Sequence, residues 1–562
     1  MFTYETDVLV IGGGGGGAMA AYEASKHGVE VAMVLKGSPQ HCGVTIMAPG
    51  AISGVGNWHV PGDSVDLHFS DTVRGGAFLN EQTLVRAVVE EAPDRIMELE
   101  RIGAMWQRDD RGETYALRID GGHSYPRCPY LEDRTGREIL RALFGELNKR
   151  NVRIFPNIMV LKLLQSDGKV SGAVGINLEN CEPVLLRAKT LILACGGAGT
   201  LYHNTSNSPD MTGDGFALAL GAGAELMDME FVQFYPLGFV YPDSLKGILG
   251  GLLYYVHLRN KDGERFMANY DPERLELSTR DRVARAMMTE IKEGRGGPHG
   301  GVFADMTFQE PGFIAKMQPA LYKTYRKIGV DPEKVPLEVA PTCHFFMGGI
   351  KVNENWQSSI GGLYAVGENS AGLHGANRLS QNALAELLVS GVRAGRAAAK
   401  AALNSVQAPV DPSEAKVVTA LTRKTMERDK GIRPHVLRAN LRKIMWDQVG
   451  VVRTKDGLNL ALERLADLKA DLELQHVTLQ SKRFNQEMIE ALENRCMVTT
   501  AQCITEAALL RTESRGAHYR DDFASQDDSQ WLKHIVLSRQ NGELQSALTA
   551  VDLCELKPGK GA

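Results

Sequence analysis

No C-x-x-C pair, no run of 18 apolar residues and no excess of charge of one sign occurs in the 562 residues. The eight cysteines (Cys42, Cys128, Cys181, Cys195, Cys343, Cys496, Cys503 and Cys554) are scattered. That spacing argues against a disulfide framework and against a metal site or iron–sulfur cluster held by this chain. Without a long apolar run a membrane-spanning helix is not expected, and Met1 to Asp7 leads towards a strand with no basic n-region. The expectation is a cytoplasmic protein, able to reach the inner face of a membrane only through partner subunits. The 63 basic residues nearly cancel the 68 acidic ones, for a net charge of −5, so there is no electrostatic case for nucleic acid or an anionic membrane. The length is about 3.7 times a ~150-residue domain, which excludes one small domain.

Glycine is abundant, at 59 of 562 residues, against an average of about 7%. Asp7 to Ile11 has the apolar, β-branched profile of a buried strand, Gly12 to Gly17 follow, and Ala18 to Ala24 has a helix former's composition. Gly12, Gly14 and Gly17 therefore satisfy G-x-G-x-x-G in a strand–turn–helix setting, with a dinucleotide pyrophosphate expected at the helix N-terminus. The next strand, Val29 to Leu35, ends at Leu35-Lys36 where a ribose-binding acid would usually stand, which argues against generic NAD binding. Two more strand–turn segments, Thr190 to Gly199 and Gly361 to Glu368, are expected to join the same sheet, with the residues between them forming insertions that carry a second domain. Beyond Ala383 to Ala402 the chain reads as helices over 412–427, 434–449, 457–474 and 483–514. In the third, Leu458, Leu462, Leu465, Leu468 and Leu472 step along one face.

Ten ordered segments carry a more specific signal: Asp71-Thr72-Val73-Arg74-Gly75, Gly121-Gly122-His123-Ser124, Asp133-Arg134-Thr135-Gly136, Thr212-Gly213-Asp214-Gly215, Met229 to Phe234, Gly263 to Met267, Thr279-Arg280-Asp281, His344 with Met347-Gly348-Gly349, Gly375 to Leu379, and Arg515-Gly516-Ala517-His518. With them the chain resembles the flavoprotein subunits of the succinate dehydrogenase and fumarate reductase family, which includes L-aspartate oxidase. The resemblance implies an α/β fold with an α+β capping domain. In it, an FAD-binding Rossmann-like domain (1–235 and 341–405) is interrupted by the capping domain (236–340) and followed by a helical domain (412–514) and a C-terminal tail (515–562). It implies FAD, with Gly12, Gly14, Gly17 and Lys36 on the pyrophosphate and adenosine side, Asp214 and Glu368 as acidic ligands, and Asn382 near the flavin. Many members link FAD to a histidine; here His41 falls short of that position and Gly43 or Val44 stands there, so noncovalent FAD is expected. The resemblance also implies electron transport with an iron–sulfur partner protein, as in anaerobic respiration.

By the same resemblance Arg280 is the proton-transferring residue, and His344 and Arg378 bind a substrate carboxylate; the alternative physical role for Arg280 is to stabilise carbanion or enolate charge while another group moves the proton, with Asp281 or Arg285 in such a relay. Three positions depart from the family. Tyr235, Leu237 and Leu249 stand where its members have histidine, threonine and glutamate. A carboxylate against two leucines loses hydrogen bonds, so a substrate with one retained carboxylate and a larger or less charged far end is expected over succinate or fumarate. Tyr254, Tyr255 or His257 are the residues that would otherwise replace the missing donors. The competing readings are an aspartate-oxidase-like enzyme and a noncatalytic electron-relay flavoprotein.

Overall fold

Strand Phe2–Ile11 lies inside a seven-stranded sheet, hydrogen-bonded in parallel to Val31–Val34 on one side and to Pro183–Leu193 on the other. The computed structural model describes residues 2–559 apart from His59, Asp120, Gly251, Leu252 and Pro412, and apart from the side chains of Tyr254 and Ala320. Alternate residues of the first strand feed different cores. Leu9 and Ile11 pack towards the C-terminal helices, while Val8 and Val10 pack under helices Gly15–Ala24 and Asn382–Leu403. Covering both faces requires the near-continuous apolar run seen in the sequence. Strand Leu363–Ala365 joins the same sheet against Pro183–Leu193, as expected for the third glycine-turn segment.

A second, antiparallel sheet carries the cap, in the order Val232–Phe239, Leu337–Phe346, Val302–Asp305 and His257–Arg259. Its first two strands span the positions expected as domain boundaries, 235/236 and 340/341, and pair with each other across them. The cap therefore grows out of the dinucleotide domain through continuous β-structure. Four long helices follow, Glu414–Met426, Pro434–Gln448, Lys455–Asp471 and Gln486–Leu510. Leu458, Leu465 and Leu468 are buried, in the same core as Leu437, Leu441 and Ile504.

The segment expected as the C-terminal tail carries a hairpin. Lys533–Gln540 and Glu543–Ala550 form a hairpin whose first strand pairs with Leu226–Met227. The turn is Asn541-Gly542, with φ of 50° and 84°, the left-handed pair that a two-residue hairpin loop demands. Arg511 locks this return. Its buried guanidinium donates to Glu230 Oε1 at 2.6 Å, Glu513 Oε1 at 3.1 Å, and the carbonyls of Trp531 at 3.0 Å and Lys533 at 2.8 Å.

Candidate functional site

One cavity of about 1300 Å³ runs from the glycine turn to the inner face of the cap. It exceeds the roughly 300–1,000 Å³ of a usual small-molecule site, leaving room for a dinucleotide and a second ligand. At one end are Gly12 to Gly16, opening helix Gly15–Ala24, a helix N-terminus of the kind that suits a pyrophosphate, with the Gly15 N–H donating to Thr45 Oγ1 at 3.1 Å. Gly12 and Gly17 serve packing. A Cβ on Gly12 would come within 2.2 Å of the Ala194 carbonyl oxygen, and one on Gly17 within 2.3 Å of the Gly12 oxygen. Gly17, unlike Gly12 and Gly14, does not line the cavity.

Lys36 and Asp214 line the cavity and are bonded to each other. The Lys36 ammonium donates to Asp214 Oδ2 at 2.8 Å, Thr212 Oγ1 at 2.8 Å, the Asp210 carbonyl at 2.9 Å, and Glu493 Oε1 at 2.8 Å. Burial alone would push this lysine down; Asp214 and Glu493 more than reverse that and hold it well above its ordinary value. Glu493 comes from helix Gln486–Leu510 and accepts from Arg438 on a neighbouring helix at 2.8 Å. The helical domain thus grips the edge of the dinucleotide site. Glu368 is also buried beside the cavity, where its carboxylate accepts the Phe346 N–H at 3.1 Å. Burial pushes it up to about 8, against the smaller opposing effects of that N–H and of Arg378.

At the other end three predicted residues converge. Arg280 is the first residue of helix Arg280–Lys292. Its Nη2 donates to Ser380 Oγ at 3.0 Å, and its guanidinium lies 5.0 Å from the Tyr235 ring centre. Arg378 Nη2 donates to Gln233 Oε1 at 3.0 Å, while Gln233 Nε2 donates back to the Arg378 carbonyl at 3.1 Å. The Arg378 guanidinium stands 4.6 Å from the Phe345 ring. His344 lies in strand Leu337–Phe346, with Nδ1 2.9 Å from Ser206 Oγ and its ring 5.8 Å from Tyr235. Burial, then Arg378 and Arg280, pushes its imidazole well below the usual value, so it is neutral near pH 7. Two arginines and this histidine therefore line one part of the cavity.

The FAD binding domain model matches residues 7–384 and the fumarate reductase flavoprotein C-terminal model residues 438–561. The chain belongs to the succinate dehydrogenase/fumarate reductase flavoprotein family. It is 44% identical over 549 residues to a fumarate reductase (CoM/CoB) subunit of Methanothermobacter marburgensis, covering 96% of this chain and 98% of that one. Among solved structures it is similar to a quinol fumarate reductase flavoprotein of E. coli, at 32% identity and a TM-score of 0.93 over 100% of this chain and 99% of that one. The Mycobacterium smegmatis Sdh1 complex with UQ1 gives 37% identity and a TM-score of 0.92, covering 99% and 96%. This family member is an FAD-dependent oxidoreductase of the fumarate reductase/succinate dehydrogenase type. The residues present fit FAD: a glycine-opened helix N-terminus for the phosphates, and a buried acid, Glu368, able to accept from a polyol hydroxyl.

Several predicted positions in this flavoprotein are placed differently. The side chain of Asn382 is turned out of the cavity, accepting from Ser53 Oγ at 2.6 Å, donating to Thr72 Oγ1 at 2.9 Å and lying 3.0 Å from His68 Nε2. It fixes the start of helix Asn382–Leu403, whose neighbours Gln381, Ala383 and Leu384 line the cavity instead. Tyr235 and Leu249 line the cavity; Leu237 does not, and packs in the cap core. The strand ladder is irregular between Tyr235 and Gly238, so strand alternation does not carry the position of Tyr235 over to Leu237. Asp281, next to Arg280, pairs with Arg285 at 3.3 Å, and neither lines the cavity. Of the candidate replacement donors, Tyr255 lines the cavity, His257 stacks on Phe308 at 3.9 Å, and the Tyr254 side chain lies outside the described residues. Sequence reasoning missed Ser206, Gln233, Ser380 and Glu493. Gln233 and Ser380 lie within or beside the matched segments, whereas Glu493, in a helix with no motif, gave no signal.

Glu493→Gln is expected to weaken FAD retention by about tenfold, one step of roughly 1.4 kcal/mol, because Lys36 is left with one carboxylate fewer and Asp214 is pulled towards it. Titrating apoprotein with FAD and following flavin fluorescence measures this. An unchanged Kd together with a lowered Tm would limit Glu493 to holding the fold.

Proposed function

We propose that this chain is the catalytic flavoprotein of an enzyme that interconverts a carboxylic acid and its α,β-unsaturated counterpart. It binds FAD noncovalently and exchanges electrons with an iron–sulfur partner protein. The observation that carries the reading is the convergence of Arg280, His344 and Arg378 in the same cavity as the glycine-opened helix. Bound FAD supplies two-electron hydride chemistry.

Arg378 holds the substrate carboxylate as a planar fork, and the Gln233 bonds on both its guanidinium and its backbone keep that fork in one orientation. When Ser206 donates to His344 Nδ1, the Nε2–H of the neutral ring is left as a second donor to the carboxylate. Arg280 supplies or takes the proton at the carbon next to the one that exchanges hydride. Its backbone is fixed by the helix it opens, and Ser380 restrains its guanidinium, so the proton is held in position before the bond is made.

Two further features support the reading. The loop residues that line the cavity at 42–45 are Cys42, Gly43, Val44 and Thr45, while His41 is exposed and not among them, which favours noncovalent FAD. No helix of the described residues is long and apolar enough to cross a membrane, and several relatives are named as subunits, which favours a separate electron-transfer chain.

The test is anaerobic isolation of the native protein, followed by flavin spectroscopy with saturated and unsaturated acids. FAD is expected in the supernatant after acid precipitation. A second, iron-bearing chain is expected to co-purify, and flavin to be bleached by a saturated acid or reoxidised by an unsaturated one. Flavin that stays with the peptide, or an iron-free single chain of full activity with a soluble acceptor, removes the corresponding part. A flavin blind to every acid removes the catalytic reading.

A further inference from the structure

Two of the ordered sequence segments, around Asp71 and around His123, do not line the cavity, yet they are bonded to each other. The Ser124 N–H donates to Asp71 Oδ2 at 2.9 Å and its hydroxyl to Asp71 Oδ1 at 2.6 Å. Arg127, fully buried, closes the cluster. It donates to Asp71 Oδ2 at 2.7 Å and, through Nε and Nη2, to the two oxygens of Asp63 at 3.1 and 2.8 Å. A planar guanidinium gripped by two carboxylates is a rigid support, and what it supports is the His123 ring. Arg127 Nη1 lies 3.3 Å from His123 Nδ1, and His123 Nε2 lies 2.7 Å from the Ser380 carbonyl oxygen. A guanidinium offers no acceptor and a carbonyl no hydrogen, so one tautomer satisfies both contacts: Nδ1 accepts from Arg127 and the Nε2–H donates to Ser380. The turn that receives this bond carries the substrate end of the site. Ser380 Oγ accepts from Arg280 Nη2 at 3.0 Å, and Arg378 stands two residues earlier. From the cap strand, Gln233 Nε2 donates to Asn377 Oδ1 at 2.9 Å and to the Arg378 carbonyl at 3.1 Å. Gln233 thus holds the Arg378 end of the turn, and His123 holds the Ser380 end.

Resting on the function proposed above, we infer that His123 is a positioning residue for the redox reaction: its Nε2–H fixes the Ser380 carbonyl, so that the Ser380 hydroxyl meets the Arg280 guanidinium in one place. Ser380 lines the cavity and His123 does not, although both are buried, so His123 acts on the reacting groups through the turn and not by contact. The Asp63–Arg127–Asp71 cluster is the anchor that keeps the ring in its tautomer and orientation. Without the His123 bond the Ser380 end of the turn is free to shift, and a misplacement of about 1 Å at the reacting groups costs up to about 100-fold in rate. Arg378 keeps both of its Gln233 bonds whatever stands at position 123. The loss therefore falls on Arg280 and the rate, and much less on substrate binding.

The experiment uses FAD-loaded holoenzyme reduced anaerobically with a stoichiometric amount of dithionite and mixed with fumarate or crotonate. Flavin reoxidation in a single turnover, followed against acid concentration, gives the maximal rate and the half-saturating concentration. His123→Phe keeps a ring but has no N–H to give. It is expected to lower the maximal rate by about 10- to 100-fold, with the half-saturating concentration changed much less. In His123→Gln the side-chain amide can donate to Ser380 and accept from Arg127, and it is expected to recover most of the lost rate. Ser380→Ala removes the hydroxyl through which His123 acts, so adding His123→Phe to it is expected to cost little more. A wild-type rate in His123→Phe overturns the inference, as do equal losses in the Phe and Gln variants, or losses that multiply in the double variant. If His123→Phe does not hold FAD, His123→Asn, whose amide is too short to reach Ser380, takes its place in the same comparisons. Each of those outcomes leaves the proposed function standing. Wild-type flavin that neither acid reoxidises overturns the function, and this inference with it.

Discussion

Arg280→Lys is expected to lower kcat by about 10²–10⁴-fold, the range for removing a positioned proton donor, with KM changed much less. Lysine keeps the charge, so the comparison isolates position. The guanidinium reaches Ser380 Oγ and the face of Tyr235 from the first turn of helix Arg280–Lys292, and an ammonium on a flexible stem cannot hold both contacts. Arg378→Lys serves as the contrast. It is expected to raise KM as well as lower kcat, because a bidentate clamp becomes a point charge and the bond to Gln233 is lost. Steady-state and single-turnover measurements at matched flavin content separate the two. Equal, small losses in both variants would place the proton transfer on another group.

Arg511→Met is expected to destabilise the folded protein by about 3–5 kcal/mol, the usual cost of removing one partner of a buried ion pair. Arg511 and Glu230 are both fully buried and 2.6 Å apart. Glu513 keeps Arg515 at 2.7 Å, but Glu230 loses its cation and two carbonyls of the C-terminal return lose their donor. Denaturant unfolding of holoenzyme under fixed FAD gives the difference. Arg86→Ala, which removes exposed pairs with Asp66 and Glu555, is expected to cost no more than about 1 kcal/mol. Equal losses in the two variants would show that the buried network adds nothing beyond a surface pair.

The dinucleotide half was readable because its signals are local. A strand, a glycine turn and a helix are adjacent in the chain, and the three such segments do return to one sheet. The converging arginines and histidine were readable only through resemblance; they come from a helix start, a strand and a turn that no periodicity connects. The side-chain bonds of Asn382 to Ser53 and Thr72 were not readable, because the partners lie more than 300 residues away in the chain. Leu237 was misplaced because an irregular ladder ends strand alternation. The hairpin is a different kind of miss: Asn541-Gly542 between two strand-like runs was a sufficient local signal, hidden by the helical character of the region before it. Glu493 was beyond reach, since its meaning depends on Lys36, 457 residues away.

The placement of the first strand sets a timetable for biosynthesis. Ile11 pairs with Leu193, so the apolar N-terminal strand leaves the ribosome about 180 residues before one of its two neighbours. At roughly 5–20 residues per second that is a wait of about 9–36 s. The FAD cavity is lined by Glu368 and Leu387 and, behind Lys36, backed by Glu493, while strand Leu226–Met227 pairs on one side with Gly349–Ile350 and on the other with Lys533–Gln540, both made later. Flavin loading therefore waits for the helix that carries Glu493, and until Pro183–Leu193 is made the first strand keeps one apolar edge unpaired.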